Sequence, residues 1–114
     1  MLNINIVELT GNAFALYLDL TGKRTLTTKQ LENFANAVLD NLNNNNINAC
    51  LSNSFDKISE CIAKYPNWFS YAENNNSIIL KDNISVDNLF NQFAPDITLH
   101  TMYAFFENEK ILLM

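Results

Sequence analysis

A chain of 114 residues that is 48% hydrophobic and holds only two glycines and two prolines can bury a single core, which argues against disorder. Its net charge of −5, from 12 acidic residues against 7 Lys and Arg, repels phosphate backbones and makes nucleic acid an unfavourable partner. No apolar run reaches about eighteen residues and no cation precedes Lys23, so the expectation is a soluble cytoplasmic protein with no membrane span and no secretory signal.

The first twenty residues are predicted to form a β-hairpin. Apolar and polar residues alternate over residues 2–6, residues 10–12 (TGN) supply a turn, and alternation resumes over residues 13–20. Val7 and Leu9 fall on the face opposite the other apolar residues of the first strand. This change of phase indicates a bulge or a strand that is buried on both sides.

The segment LTTKQLENFANAVLDNL carries the clearest helix signal in the chain. Thr27 and Gln30 form a capping box, and a leucine on either side of it supplies the matching hydrophobic staple. Six residues at helical spacing predict one buried stripe: Leu31, Phe34, Ala35, Val38, Leu39 and Leu42. The asparagines at 43–46 are expected to end the helix, and residues 47–51 are expected to form a brief strand or extended segment.

A second helix and a hairpin are predicted next. Ser54 is the expected N-cap of a helix over residues 54–65, which ends before Pro66. The predicted buried stripe of this helix is Phe55, Ile58, Ile62 and Tyr65, with Cys61 at its edge. Residues 68–81 then have the pattern of a hairpin with three asparagines, 74–76, in its loop.

A third helix and a C-terminal hairpin complete the predicted elements. Ser85 is the expected N-cap of the helix, and Pro95 must end it. Residues 97–106 are predicted as a strand of the closing hairpin, although a helix over this range is the alternative. The apolar terminus at 111–114 (ILLM) is expected to pair inside a sheet or, in a homodimer, against a second subunit.

These elements predict one α+β domain over residues 1–114. Its sheet is expected to be mainly antiparallel and built from about three hairpins, with three helices packed on one face. The unit of two strands followed by a capped helix occurs twice, but few residues are identical in register, so the repetition indicates reuse of a common architecture.

The residues that usually carry chemistry are few and scattered. His100 is the single histidine, and no acid or nucleophile stands at a readable spacing from it. Cys50 and Cys61 do not have the spacing of a metal site, and the better interpretation is that both are buried thiols in the core. Gly11 and Gly22 are isolated, so neither a P-loop nor a dinucleotide fingerprint exists. We therefore expect no enzymatic activity, no metal and no cofactor.

The surface chemistry is dominated by amides and carboxylates. The chain holds twenty asparagines but only six lysines and one arginine. AT-rich coding would raise asparagine and lysine together, so the excess of asparagine indicates that something beyond codon bias keeps positive charge off the surface. The outward faces of the first and third predicted helices and the tip of the 68–81 hairpin supply six candidate partner-binding residues: Glu32, Asn36, Asp40, Glu73, Asp87 and Asn91. These faces are either an ordinary solvated surface or a docking surface for a basic protein.

Residues 54–81 resemble part of a winged-helix domain. A helix ending in AKYPNWF, an aromatic strand, a polar tip and SIILK follow the order of a recognition helix and its wing. The resemblance implies binding to nucleic acid, but the segment holds only Lys57, Lys64 and Lys81 as cations and places Glu73 at the wing tip.

The function expected from these observations is a non-enzymatic intracellular protein-binding module. One form it could take is a small acidic regulator or inhibitor, of the immunity-protein or phage-encoded kind, that docks on a basic partner surface. The alternative is a winged-helix-like nucleic-acid-binding protein that uses the 54–65 helix and the 68–81 hairpin.

Overall fold

A computed structural model describes residues 2–93 of the chain. This part is an α+β fold with four helices, a three-stranded antiparallel sheet and a two-stranded parallel sheet. The elements in chain order are β1 (Leu2–Ile4), α1 (Ile6–Thr21), β2 (Thr25–Thr27), α2 (Thr28–Asn44), β3 (Ala49–Leu51), α3 (Ile58–Ala63), β4 (Phe69–Ala72), β5 (Ser77–Leu80) and α4 (Val86–Gln92). A 3₁₀ turn, Phe55–Lys57, leads into α3, and a second one, Glu73–Asn75, joins β4 to β5.

Helix α1 occupies the segment for which the alternating pattern predicts a hairpin, so that prediction is wrong. The side chain of Asn5 accepts hydrogen bonds from the backbone N–H groups of Val7 (2.8 Å) and Glu8 (3.4 Å) and thereby caps the helix. Gly22 ends the helix in the left-handed conformation, with φ 73°, and its N–H donates to the carbonyl of Leu18.

Burial on every side explains why α1 shows no helical periodicity. Every residue from Ile6 to Tyr17 except Glu8 is buried. A helix that is buried on nearly every side has no continuous polar face of period 3.6, and the alternation of large and small residues in α1 imitates a strand. Gly11, which suggests a turn, lies inside the helix instead.

Helix α1 is also the centre of the described fold. Helices α2, α3 and α4 each pack against it, which makes four helices where three were predicted. The ring centroids of Phe14 on α1 and Phe69 on β4 are 5.6 Å apart, so the helix also contacts the sheet. The largest fully buried side chains form one core: Phe14, Phe34, Phe69, Ile6, Leu9, Leu16, Leu26, Leu31, Leu42, Ile62, Ile78 and Leu80.

Two of the predicted hairpins fall within the described residues, and the sheets contain one of them. Strands β4 and β5 pair antiparallel as the 68–81 pattern predicts, and β2 pairs antiparallel with the other edge of β5, giving the order β2-β5-β4. Strand β1 pairs in parallel with β3, with Leu2 opposite Ala49 and Ile4 opposite Leu51. Of the two alternatives predicted for residues 47–51, a brief strand or an extended segment, the structure has a strand over Ala49–Leu51.

Helix α2 begins where its capping box predicts. The hydroxyl of Thr27 accepts from the N–H of Gln30 (3.1 Å), and the side-chain oxygen of Gln30 accepts from the N–H of Thr27 (2.8 Å). The predicted stripe is buried except for Leu39, which is half-buried. This amphipathic helix therefore has one face in the core and one in solvent.

The run of asparagines ends α2 by bonding to the backbone. The amide of Asn45 donates to the carbonyl of Asn41 (2.8 Å), and Asn46 adopts a left-handed φ of 64°. The side-chain oxygen of Asn43 accepts from the N–H of Ala49 (3.2 Å), which connects the helix end to β3. Short amides tolerate such conformations, so the run is a helix end and loop as predicted.

The two later caps also lie where predicted. Ser54 accepts from the N–H of Asp56 (3.2 Å), and Ser85 forms a capping box with Asn88. The helix predicted over 54–65 is shorter, because its first turn is 3₁₀ and α3 ends at Ala63. Tyr65, predicted in the buried stripe, is exposed. The predicted C-terminal hairpin, including residues 97–106 and His100, lies outside the described residues.

Candidate functional site

A groove of about 340 Å³ forms where three exposed parts of the fold meet. It lies between the start of α2, the 3₁₀ turn together with the first residues of α3, and β4 with the turn that joins it to β5. Its lining mixes hydroxyls, an amide, charged groups and aromatic rings: Thr28, Lys29, Glu32, Phe55, Asp56, Ile58, Ser59, Tyr71 and Asn76. Concave sites that hold a ligand or a partner side chain begin at about this size.

Backbone and side-chain hydrogen bonds fix the walls of the groove relative to one another. The N–H of Thr28 donates to the carbonyl of Asn76 (2.8 Å), which ties the start of α2 to the hairpin. Asn76 holds this position in a left-handed conformation, with φ 49°. The Tyr71 hydroxyl donates to the side-chain oxygen of the same Asn76 (3.2 Å). The groove is therefore part of the folded frame and needs no loop closure to form.

The charges of the groove are two carboxylates and one ammonium group. Lys29 Nζ lies 3.5 Å from Glu32 Oε1, with the two side chains 76% and 44% exposed. An ion pair that exposed is worth about 0–1 kcal/mol, so it leaves the carboxylate of Glu32 available to another cation. Asp56 adds a second carboxylate on the opposite wall, which gives the lining a net negative charge.

The structure places the six predicted partner-binding residues in three different places. Glu32 lines the groove, and Asn36 and Asp40 follow it at four-residue spacing along the exposed side of α2. Glu73 is exposed in the 3₁₀ turn at the hairpin tip but does not line the groove. The remaining two, Asp87 and Asn91, are exposed on α4, which packs against α1 and contributes nothing to the groove lining.

Sequence reasoning missed the aromatic and hydroxyl groups of the groove. The sequence predicts Phe55 in a buried stripe and Tyr71 in a hairpin strand, whereas both are half-buried and line the groove. Two signals bear on them in hindsight. Phe55 follows the Ser54 cap, and Tyr71 lies five residues before Asn76, across the predicted turn.

No set of three or more His, Cys, Asp and Glu side chains within residues 2–93 could hold a metal ion. Tyr17 is buried in α1 away from the groove lining, and this burial raises the pKa of its phenol above the ordinary value.

The two cysteines differ from their predicted role as buried core thiols. Both are half-buried. Cys61 packs against the edge of the core, whereas the thiol of Cys50 donates to the side-chain oxygen of Asn3 at 3.0 Å. Cys50 lies outside the core because it is opposite Asn3 in the parallel pairing of β1 with β3, and Asn3 is exposed.

Comparisons with known proteins identify no relative of the chain, so the interpretation rests on the geometry of the groove. Among the described residues, no helix is both long and apolar enough to traverse a lipid bilayer. No protein-family model, curated protein or solved structure matches the chain.

Proposed function

We propose that this chain is a non-enzymatic protein-binding module that docks on a basic surface of a partner protein. The observation that carries the proposal is the groove between α2, the 3₁₀ turn before α3 and the β4–β5 hairpin, together with the polar face of α2 that extends from it. Glu32, Asn36 and Asp40 form a continuous row from the groove along α2. We call this row and the groove the docking face.

The distribution of cations supports a basic partner. Lys29 and Lys57 each pair with a glutamate three residues later, at 3.5 and 3.8 Å. The guanidinium of Arg24 donates to two backbone carbonyls and so belongs to the framework. Of the six cations in residues 2–93, the docking face carries Lys29 alone. A negative field over such a face attracts a positively charged patch and speeds its encounter.

This function takes the form of a small intracellular regulator or inhibitor. By covering a basic patch of its partner with carboxylates and amides, the module occludes a surface that would otherwise receive phosphate groups. No reactive group is required for this action, because steric and electrostatic blockage suffices.

The test is affinity capture from the native cytosol with the wild-type chain and with charge variants of the docking face. We expect a partner that the wild type retains and that Asn36→Lys and Asp40→Lys lose, because a cation then opposes the basic patch. Asp82→Lys is the matched control, since Asp82 is exposed beyond the far end of β5. Equal retention by all three variants, or a partner surface that proves acidic, would contradict the proposal.

A second candidate function is nucleic-acid binding by a winged-helix-like domain. One specific observation favours it: the order α1, β2, α2, α3, β4, β5, with β5 between β2 and β4, is the order of helices and strands in winged-helix domains. Against it, the exposed charged residues around α3 and at the hairpin tip are three carboxylates, on Asp56, Glu60 and Glu73, against the two lysines Lys57 and Lys64, which leaves a small net negative charge. Retention of the chain by duplex DNA at about 150 mM salt would favour this candidate over protein docking.

The apolar C-terminal segment adds a proposal about assembly. Residues 111–114, which the sequence pattern predicts as a strand, lie outside the described residues, and their pairing with a second copy would produce a homodimer. Sedimentation of the full chain tests this directly, because a monomer at micromolar concentration would exclude the dimer.

A further inference from the structure

The aromatic rings of the groove indicate which basic group it receives. We propose that the groove binds an arginine side chain of the partner protein, between the carboxylates of Glu32 and Asp56 and against the rings of Phe55 and Tyr71. This inference rests on the proposed function and names the chemical group that the docking face recognises.

The chemistry of the lining distinguishes arginine from lysine. A guanidinium is planar, bonds carboxylates through two N–H groups at once, and stacks on aromatic faces, whereas an ammonium group is a compact and strongly hydrated charge. The groove offers a guanidinium both hydrogen-bond acceptors and aromatic rings: Glu32 and Asp56 supply the acceptors, and Phe55 and Tyr71 supply the rings. Thr28 and Ser59 add hydroxyls at the wall.

The walls that would contact the guanidinium are held in place by the core. Phe55 and Tyr71 pack against the hydrophobic core, and Ile58, which also lines the groove, is buried. The hydrogen bond from Tyr71 to Asn76 further restricts the ring. A fixed, partly buried wall lowers the ordering that binding requires and strengthens charge-assisted bonds relative to open solvent.

The ammonium group of Lys29 is the competitor that an arginine must displace. Its contact with Glu32 is long, at 3.5 Å, and 76% of the lysine side chain is exposed. An exposed pair of this kind contributes little to stability, so a guanidinium that makes two hydrogen bonds and a ring contact replaces it. Removal of the lysine charge should therefore tighten arginine binding.

The experiment is a titration of the full isotope-labelled chain, followed by amide chemical shifts, with a capped pentapeptide that has one arginine among glycines. Peptides with lysine or with the uncharged isostere citrulline at the same place are the chemical controls. We expect the arginine peptide to shift amides at the start of α2, in the turn before α3 and at the end of the hairpin, with at least about tenfold weaker binding of either control peptide.

Variants of the groove complete the test. Glu32→Gln and Asp56→Asn should each weaken the arginine peptide about fivefold to tenfold, and Lys29→Gln should strengthen it. Asp82→Asn changes the net charge equally outside the groove and should leave the affinity unchanged. Any of three results would overturn the inference. The citrulline peptide could bind as tightly as the arginine peptide, Asp82→Asn could weaken binding as much as the groove variants do, or millimolar arginine peptide could leave the amide shifts of the groove unchanged. If the arginine peptide does not bind but the Asp40→Lys variant still fails to retain the cytosolic partner, the arginine site is wrong and the proposed docking function is not.

Discussion

The ring of Phe93, at the end of α4, packs directly over the bare Cα of Gly11 in the middle of α1. A Cβ built on Gly11 would overlap the Cγ and Cδ2 atoms of that ring and lie 2.9 Å from Cδ1. The same ring is in edge contact with Trp68, with centroids 5.3 Å apart, and lies 6.0 Å from Phe69. The glycine therefore allows an aromatic cluster to join α1, α4 and the start of β4.

We expect Gly11→Ala to destabilise the fold, even though alanine is the better helix former by about 1 kcal/mol. The added methyl must displace a packed ring, and overpacking of this kind costs about 1–3 kcal/mol. Urea denaturation followed by far-ultraviolet circular dichroism measures the difference in the free energy of unfolding.

A double-mutant cycle tests whether the clash is the cause of that loss. In a Phe93→Ala background the methyl at Gly11 has no ring to meet, so Gly11→Ala should be neutral or stabilising there. If Gly11→Ala costs the same in both backgrounds, the close packing of the two residues does not explain the glycine.

The guanidinium of Arg24 provides a second stability prediction. Its Nη1 donates to the carbonyl of Lys81 and its Nη2 to that of Ile84, both at 2.8 Å, which fastens the chain before β2 to the loop between β5 and α4. Arg24→Ala leaves two carbonyls without these donors, and we expect a loss of about 1.5–3 kcal/mol in the free energy of unfolding. Lys23→Ala removes a neighbouring exposed cation and should change stability by less than about 0.5 kcal/mol. A similar loss in both variants would attribute the effect to net charge instead.

The elements that sequence reasoning located are those with local signals. Helices α2 and α4 have side-chain caps that contact residues three positions away, and the β4–β5 hairpin is closed by a short polar turn. Helix α1 has equally local signals, since Asn5 precedes Glu8 by three residues and Gly22 follows the last turn. They are outweighed because this helix is buried on nearly every side over residues 6–17 and so has no continuous polar face, and alternation of residue size takes the place of periodicity.

The remaining features depend on contacts between distant segments. The parallel pairing of β1 with β3 joins residues about forty-seven apart, as Leu2 and Ala49 illustrate, and three-residue strands carry almost no pattern of their own. The groove likewise combines side chains from three separate segments, so only Glu32 among its residues was predicted to bind a partner. The acidity of the surface is visible in composition, but its concave arrangement follows from tertiary packing.

The buried phenol of Tyr17 predicts a loss of stability at alkaline pH. Burial raises the pKa of this group in the folded chain above its ordinary value of 10.0, so the folded state keeps the proton after the unfolded state has released it. The stabilisation is complete below the unfolded pKa and declines as pH rises through it toward the folded pKa. Unfolding by urea at a series of pH values from neutral to alkaline measures this slope. Tyr17→Phe should show a shallower alkaline decline than wild type, with a constant difference between the two near neutral pH; identical slopes would contradict the assignment.

The capping box at the start of α2 also fixes one wall of the groove, so its removal has a measurable consequence at both places. Thr27→Ala removes the hydroxyl that accepts from the N–H of Gln30 at 3.1 Å, and we expect a loss of about 0.5–2 kcal/mol in the free energy of unfolding. Thr27→Ser keeps an acceptor at the same place and should retain most of the stability. Thr25→Ala is the control, because it removes an exposed strand hydroxyl outside the cap. Since Thr28 joins the cap to the hairpin through Asn76, Thr27→Ala should also broaden or shift the amide resonances of the groove. A loss in Thr27→Ser as large as that in Thr27→Ala would mean that packing of the threonine methyl, and not the hydrogen bond, holds the helix start.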